Sequence, residues 1–284
     1  MANKEQGGVV QRMDGVEYRL AAPYDFDFLK KYGRVFHVFD DQDSGNICFG
    51  LEKEGVRRFV KFAGAPTLRG AGTPAQAVER LKACLPVYQN LRHRCLTPLL
   101  EAEEIGGGFA MVFPWASGDC MGRMYPKAHR RFMALSTEAR QRVFLDVLDF
   151  LQAVNAQGYV AVDFYDDSIL YDFESGQTTV CDIDFFRRKP CVNDMGRMWG
   201  SSKFQAPEEY RLGAAMDERT NVYTAGAMAF ALFANYQRDP GAWQLDERRL
   251  AAAFRAISTD PAARQESVGK LREEWEHGAL QNHL

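Results

Sequence analysis

The chain has 284 residues, enough for one large domain or two closely joined lobes with a sizeable core. Its 46% hydrophobic and 26% charged residues make an ordinary globular composition. The net charge of -3 argues against a generic nucleic-acid binder, whose footprint is a basic excess. No apolar run reaches the ~18 residues of a membrane span, so no membrane association is expected. Residues 1–10, with Lys4, Glu5 and Gly7-Gly8, lack the apolar centre of a signal peptide. The six cysteines are scattered without a C-x-x-C pair, so reduced thiols in a cytoplasmic protein are expected.

In chain order, Val35-Phe36-His37-Val38-Phe39 reads as a strand ending at the turn Asp40 to Asn46. Asp41, Asp43 and Glu52 superficially suggest a calcium loop. Asn46 in place of the required glycine, and strands on both sides, favour a hairpin turn. Ile47 to Leu51 and Val56 to Phe62 read as the next two strands, joined by a turn at Glu52 to Gly55. A helix is expected from Thr73, which can cap it, with Pro74 at its first position; Pro86 should interrupt it. Apolar stretches from Leu99 and from Phe109 to Phe113 flank the glycines at 106–108.

The remainder reads as mainly helical. Val143, Val147, Leu148, Leu151 and Val154 recur at helical spacing after a start near Ser136-Thr137. Asn221 to Phe233 is apolar nearly all round, as in a buried helix. Trp199 and Trp275 are expected to be core or packing residues, and the histidines show no metal-ligand spacing.

Between these helices lies the chemistry. Asp163 ends an apolar run, five residues pass, and a strand begins at Ile169. After a turn at Glu174-Ser175-Gly176 a second strand leads to Asp182-Ile183-Asp184. Such a hairpin brings Asp163 near the Asp182/Asp184 pair. Phosphoryl transfer needs this grouping, one carboxylate to orient the attacking hydroxyl and another to hold Mg²⁺.

Here the sequence resembles the eukaryotic-type Ser/Thr protein kinases. Asp163 is similar to the Asp of their H-R-D-x-x-x-x-N loop, and Asp184-Phe185-Phe186 to their D-F-G; Asp182 is a second, less favoured candidate. Gly200 to Glu208 (G-S-S-K-F-Q-A-P-E) resembles G-T-x-x-Y-x-A-P-E. Asn221 to Gly226 resembles D-V-W-S-x-G, and Asp260 to Arg264 the late D-P-x-x-R, which implies a buried Arg264–Glu208 ion pair. Phe59-Val60-Lys61 resembles V-A-I-K. The resemblance makes Lys61 the ligand of the ATP phosphates, Glu79 its helix-borne partner, Gly33 the last loop glycine and Val35 the residue over adenine. Phe113, Trp115 and Ala116 fall in the hinge at the adenine edge.

The resemblance runs from about Lys30 to Trp275. It implies an α+β, bilobal kinase-like fold, with residues 1–115 as the strand-rich N-lobe and 116–284 as the helical C-lobe. The implied function is ATP- and Mg-dependent transfer to a protein hydroxyl, with Asp163, Lys61 and Asp184 catalytic and Asp184, Ser168 and Asp182 as metal ligands. Several positions depart from the pattern: Ala161-Val162 for His-Arg, Tyr165 for Lys, Ser168 for Asn, Phe186 for Gly, Asn221 for Asp, and Phe28 and Lys30 for two glycines. They keep two alternatives open. One is a scaffold that binds nucleotide without turnover; the other is a small-molecule kinase of the aminoglycoside-phosphotransferase type.

Overall fold

The computed structural model describes residues 8–277. Six α-helices combine with a strand-rich N-terminal part, compatible with the α+β class. The chain divides into two compact units between Ala116 and Ser117, with residues 91–96 belonging to the second.

In the first unit, β1 (Val9–Met13) and β2 (Val16–Leu20) form an antiparallel hairpin, additional to the elements expected from the sequence. Its two-residue turn, Asp14-Gly15, has positive φ at both positions (51° and 92°). There follow β3 (Arg34–Phe39), β4 (Asn46–Lys53), β5 (Val56–Ala63), α1 (Pro74–Asn90), β6 (Glu101–Ile105) and β7 (Gly108–Pro114). The strands make one antiparallel sheet in the order β3-β4-β5-β7-β6. Alternation gives the sheet two distinct faces. Ile47, Phe49, Leu51, Val60, Phe62 and Val112 share one, packed against Tyr18, Leu20, Phe26, Leu29 and Tyr32. Lys61 lies on the other, with Cys48 and Met111 as its cross-strand partners. Helix α1 packs on the Lys61 face, where the Tyr88 ring sits 5.1 Å from that of Phe113.

The break expected at Pro86 does not occur, since α1 runs on to Asn90. A mid-helix proline costs ~3 kcal/mol. Burial of Leu81, Cys84, Val87 and Tyr88 outweighs it, at about 1.5–3 kcal/mol for a full-sized apolar side chain.

The second unit contains β8 (Asp119–Cys120), α2 (Pro126–Met133), α3 (Thr137–Ala156), β9 (Tyr159–Val160), β10 (Ile169–Tyr171) and β11 (Thr178–Val180). It continues with β12 (Arg187–Arg188), β13 (Cys191–Val192), β14 (Ala215–Met216), α4 (Glu218–Ala234), α5 (Glu247–Ala256) and α6 (Val268–His277). Ser136 caps α3 by accepting from the Ala139 N–H at 3.2 Å, and the helix buries Val143, Val147, Leu148, Leu151 and Val154. Helix α4 is buried from Thr220 to Ala234, flanked by α3, α5 and α6. That enclosure explains its lack of a polar face. Trp275 packs on Phe144 (ring centroids 4.4 Å apart) and Phe233 (5.6 Å) in this core. Trp199 is a packing residue rather than a core one. It is 40% exposed and touches Phe185.

Candidate functional site

Two loops of the second unit run side by side because both pairs of ends are fastened together. At one end β10 pairs with β11, Ile169 opposite Val180, and the Cys181 N–H extends the ladder to the Ser168 carbonyl at 2.9 Å. At the other end β9 pairs with β12, Val160 opposite Arg187. Residues 161–168 and 181–186 are held between these clamps. They carry Asp163, Asp166, Asp167 and Ser168 on one side, and Asp182 and Asp184 on the other. Asp163 (φ 61°) and Asp182 (φ 57°) both adopt the left-handed backbone conformation. Aspartate tolerates that region better than most residues, yet such outliers cluster at functional sites. Gly200 packs onto Asp163: at φ 135°, a Cβ there would lie 3.4 Å from both Cα and Oδ1 of Asp163.

Asn221 fixes the first loop from inside α4. It is fully buried, its Oδ1 accepts from the Ala161 N–H at 2.8 Å, and its Nδ2 donates to the Tyr159 carbonyl at 3.4 Å. A carboxylate could accept the first bond but not donate the second, so the amide suits this loop. Asn221→Ala strands two buried backbone groups. It is expected to cost on the order of 1–3 kcal/mol in chemical denaturation.

The sequence favours Asp184 as the metal ligand, but the ladder runs directly into Asp182, and Asp184 lies two residues further along. Phe186 fills space that glycine would leave empty: it is buried, with its ring 6.1 Å from those of both Phe150 and Phe164. Ser168 is 2% exposed at the foot of β10. The two aspartates before it have partners of their own. Asp166 is buried and accepts from the Tyr236 hydroxyl, and burial raises its pKa. Asp167 meets the Cys120 Sγ at 3.4 Å, and burial together with the nearby Asp166 pushes its carboxyl up to about 6.

Below the loops, the expected Arg264–Glu208 pair is present and bidentate. Nη1 reaches Oε1 at 2.7 Å and Nη2 reaches Oε2 at 2.9 Å, with side chains 0% and 3% exposed. Thr220 adds a hydroxyl donor to Glu208 Oε1 at 2.8 Å, and Arg264 Nε donates to the Ser258 carbonyl. Burial pushes Glu208 up, but Arg264 outweighs it and holds the carboxyl below its usual range.

Glu209 behaves oppositely. It accepts from the Ala206 N–H at 2.6 Å, and burial pushes it up to about 8. A raised carboxyl pKa stabilises the fold fully below the unfolded value of 4.5, and that contribution is lost as pH rises through about 8. Glu209→Gln mimics the protonated acid. Its thermal midpoint is expected to match wild type near pH 5 and exceed it near pH 8.5 by on the order of a few degrees.

In the first unit, Lys61 is buried on β5 at 8% exposure. Glu79, the acidic residue expected to partner it, is exposed on α1. The buried positions Ala77, Leu81, Cys84 and Tyr88 define the opposite face of that helix, and Glu79 is its only acid, so α1 supplies no carboxylate to the sheet. Gly33 is also displaced from its expected role. It lies ahead of β3, with φ 134°, where a Cβ would sit 2.4 Å from the Glu52 carbonyl oxygen. It is glycine for close packing. The hairpin loop that leads into β4 instead contains Asp40, Asp41, Asp43 and Gly45, with Asp41 paired to Arg69 at 2.8 Å. Val35 is buried in the core on the face away from Lys61. Phe113 and Trp115 belong to an aromatic group with Phe36, Phe39 and Phe59. The Trp115 N–H, expected at the adenine edge, donates to the Arg57 carbonyl at 3.2 Å. Ala116 is half-buried at the end of the unit.

No family model matches the chain. Over 169 residues it is 26% identical to CBL-interacting protein kinase 4 of Oryza sativa subsp. japonica. That match covers 58% of this chain and 36% of the plant protein, so the chain spans about a third of that relative's length. It is a distant likeness to a protein kinase. Among the described residues no helix is long and apolar enough to cross a membrane.

Proposed function

We propose that the chain is a protein kinase-like phosphotransferase that uses ATP and Mg²⁺ to phosphorylate a hydroxyl of a protein. The observation that carries this reading is the clamped pair of loops with left-handed Asp163 and Asp182, the Asp163 loop being braced by Asn221 and approached by Gly200. The distant likeness to a plant kinase supports it.

Asp163 orients the acceptor hydroxyl and takes its proton. Asp182, with Asp184 behind it, supplies the oxygen donors that suit Mg²⁺, and Lys61 binds the ATP phosphates. The metal–nucleotide complex supplies an activated γ-phosphoryl group with its charge partly neutralised. Among the described residues no three His, Cys, Asp or Glu side chains form a metal cage. Mg²⁺ held largely by phosphates and water needs only one or two carboxylates.

A second reading, a scaffold without turnover, is favoured by one observation. The loop before β4 carries three aspartates and a single glycine, Gly45, and even with Asp41 paired to Arg69 its negative charge would disfavour phosphate. Incubating the purified protein with γ-labelled ATP and parallel panels of proteins, aminoglycosides and sugars separates the readings. Label in protein supports the proposal. Label in small molecules alone, or none with nucleotide bound, rejects it.

A further inference from the structure

We propose that a pocket of the second unit beside residues 202–210 receives an anionic side chain of the polypeptide substrate, a carboxylate or a phosphomonoester. The pocket has a volume of ≈ 360 Å³ and is lined by Ser202, Lys203, Tyr210, Tyr223, Tyr236 and Arg238, among others, with no carboxylate. Calling the occupant a substrate rests on the phosphotransferase reading; anion binding itself does not.

The charge balance at this pocket is opposite to that of the whole chain. Each of the three tyrosine rings lies beneath a cation. Arg197 stands 5.8 Å from the Tyr210 centroid and Arg238 5.7 Å from that of Tyr223. Arg123 (4.1 Å) and Lys203 (4.4 Å) both stand over Tyr236. Among the described residues, none of these four cations has a carboxylate at ion-pair distance. The neighbouring acids are already engaged. Asp166 accepts from Tyr236, Glu208 pairs with Arg264, and Asp239 accepts from the Gly241 N–H.

Neutral groups hold two of the cations in place. Arg238 Nη2 donates to the Tyr223 hydroxyl at 3.2 Å and the Lys203 carbonyl at 3.3 Å. Arg123 Nη2 donates to the backbone and side-chain oxygens of Asn235 at 2.8 and 2.7 Å. Guanidinium groups fixed in advance but not neutralised lose little freedom when an anion arrives. Residues that merely decorate a solvated surface have no such anchoring.

The test is an NMR titration of the full chain without nucleotide. Three peptides are compared, each with one serine followed by four glutamates, four glutamines or four phosphoserines. Saturable shifts of amides in residues 202–210 and 236–238 are expected with one or both anionic peptides and not with glutamine. Which of the two binds identifies carboxylate or phosphomonoester as the source. Arg238→Ala and Lys203→Ala, both exposed positions, should each weaken binding by about fivefold or more while leaving the rest of the spectrum unchanged. Equal shifts with the glutamine peptide, no saturable shift with any peptide, or undiminished binding in both variants would overturn the proposal. Binding retained in a protein with no phosphotransfer would count against the enzymatic reading alone.

Discussion

Arg264→Met is expected to lower the stability of the protein by about 3–5 kcal/mol, because it leaves the Glu208 carboxylate buried without its counter-charge. At roughly 2–4 °C per kcal/mol, the thermal midpoint should fall by ~10 °C. The loss should exceed that of the pair Glu208→Gln/Arg264→Met, in which no charge remains stranded. The pH dependence has a definite sign. Glu208 is depressed in the fold, so its contribution is fully present above the unfolded value of 4.5 and fades as pH falls through the lower folded value. The difference between wild type and Arg264→Met should therefore shrink in acid. A loss below ~1 kcal/mol near pH 7, or a double variant less stable than the single, would contradict this account.

Asp163→Asn is expected to reduce phosphotransfer by ~10²–10⁴-fold while the protein stays folded. Asparagine keeps the volume and tolerates the left-handed backbone at φ 61°, so the change removes charge and basicity without disturbing the loop. KM for nucleotide should change little. Asp182→Ala should abolish turnover by weakening metal binding, and excess Mg²⁺ should partly rescue it. Asp184→Ala should be milder, since Asp184 lies two residues beyond the ladder. Unchanged turnover in Asp163→Asn would remove that residue from the mechanism. A stronger loss in Asp184→Ala than in Asp182→Ala would return the metal to Asp184.

The second unit was the more legible part of the sequence. The Arg264–Glu208 pair is what the resemblance of two distant segments to protein-kinase motifs implies, α3 follows from apolar residues at helical spacing, and α4 from a run that is apolar nearly all round. The first unit was harder to read. Gly33 takes its expected role from a resemblance of the segment 32–35 to the end of a glycine-rich loop, but a glycine before a strand serves close packing as readily as phosphate binding. The packing of Gly33 against the Glu52 carbonyl decides between the two. Glu79 attracted a role by chemical type, and helical phase decides otherwise; the phase could have been taken from Ala77, Leu81, Cys84 and Tyr88. The β1–β2 hairpin carried the Asp-Gly turn signal at Asp14-Gly15. The pocket had no sequence signal, because Lys203 and Arg238, which line it, and Arg123 and Arg197, which stand over its tyrosines, are brought together only by the fold.

The central claim is that this chain binds Mg·ATP for phosphotransfer, and calorimetric titration tests it most directly. Wild type, Lys61→Ala and Asp182→Ala would be titrated with ATP in the presence of Mg²⁺ and again with EDTA. The account predicts saturable binding in wild type, weakened at least tenfold in each variant and by EDTA. Absence of binding in wild type, or equal binding in all three proteins, would contradict it.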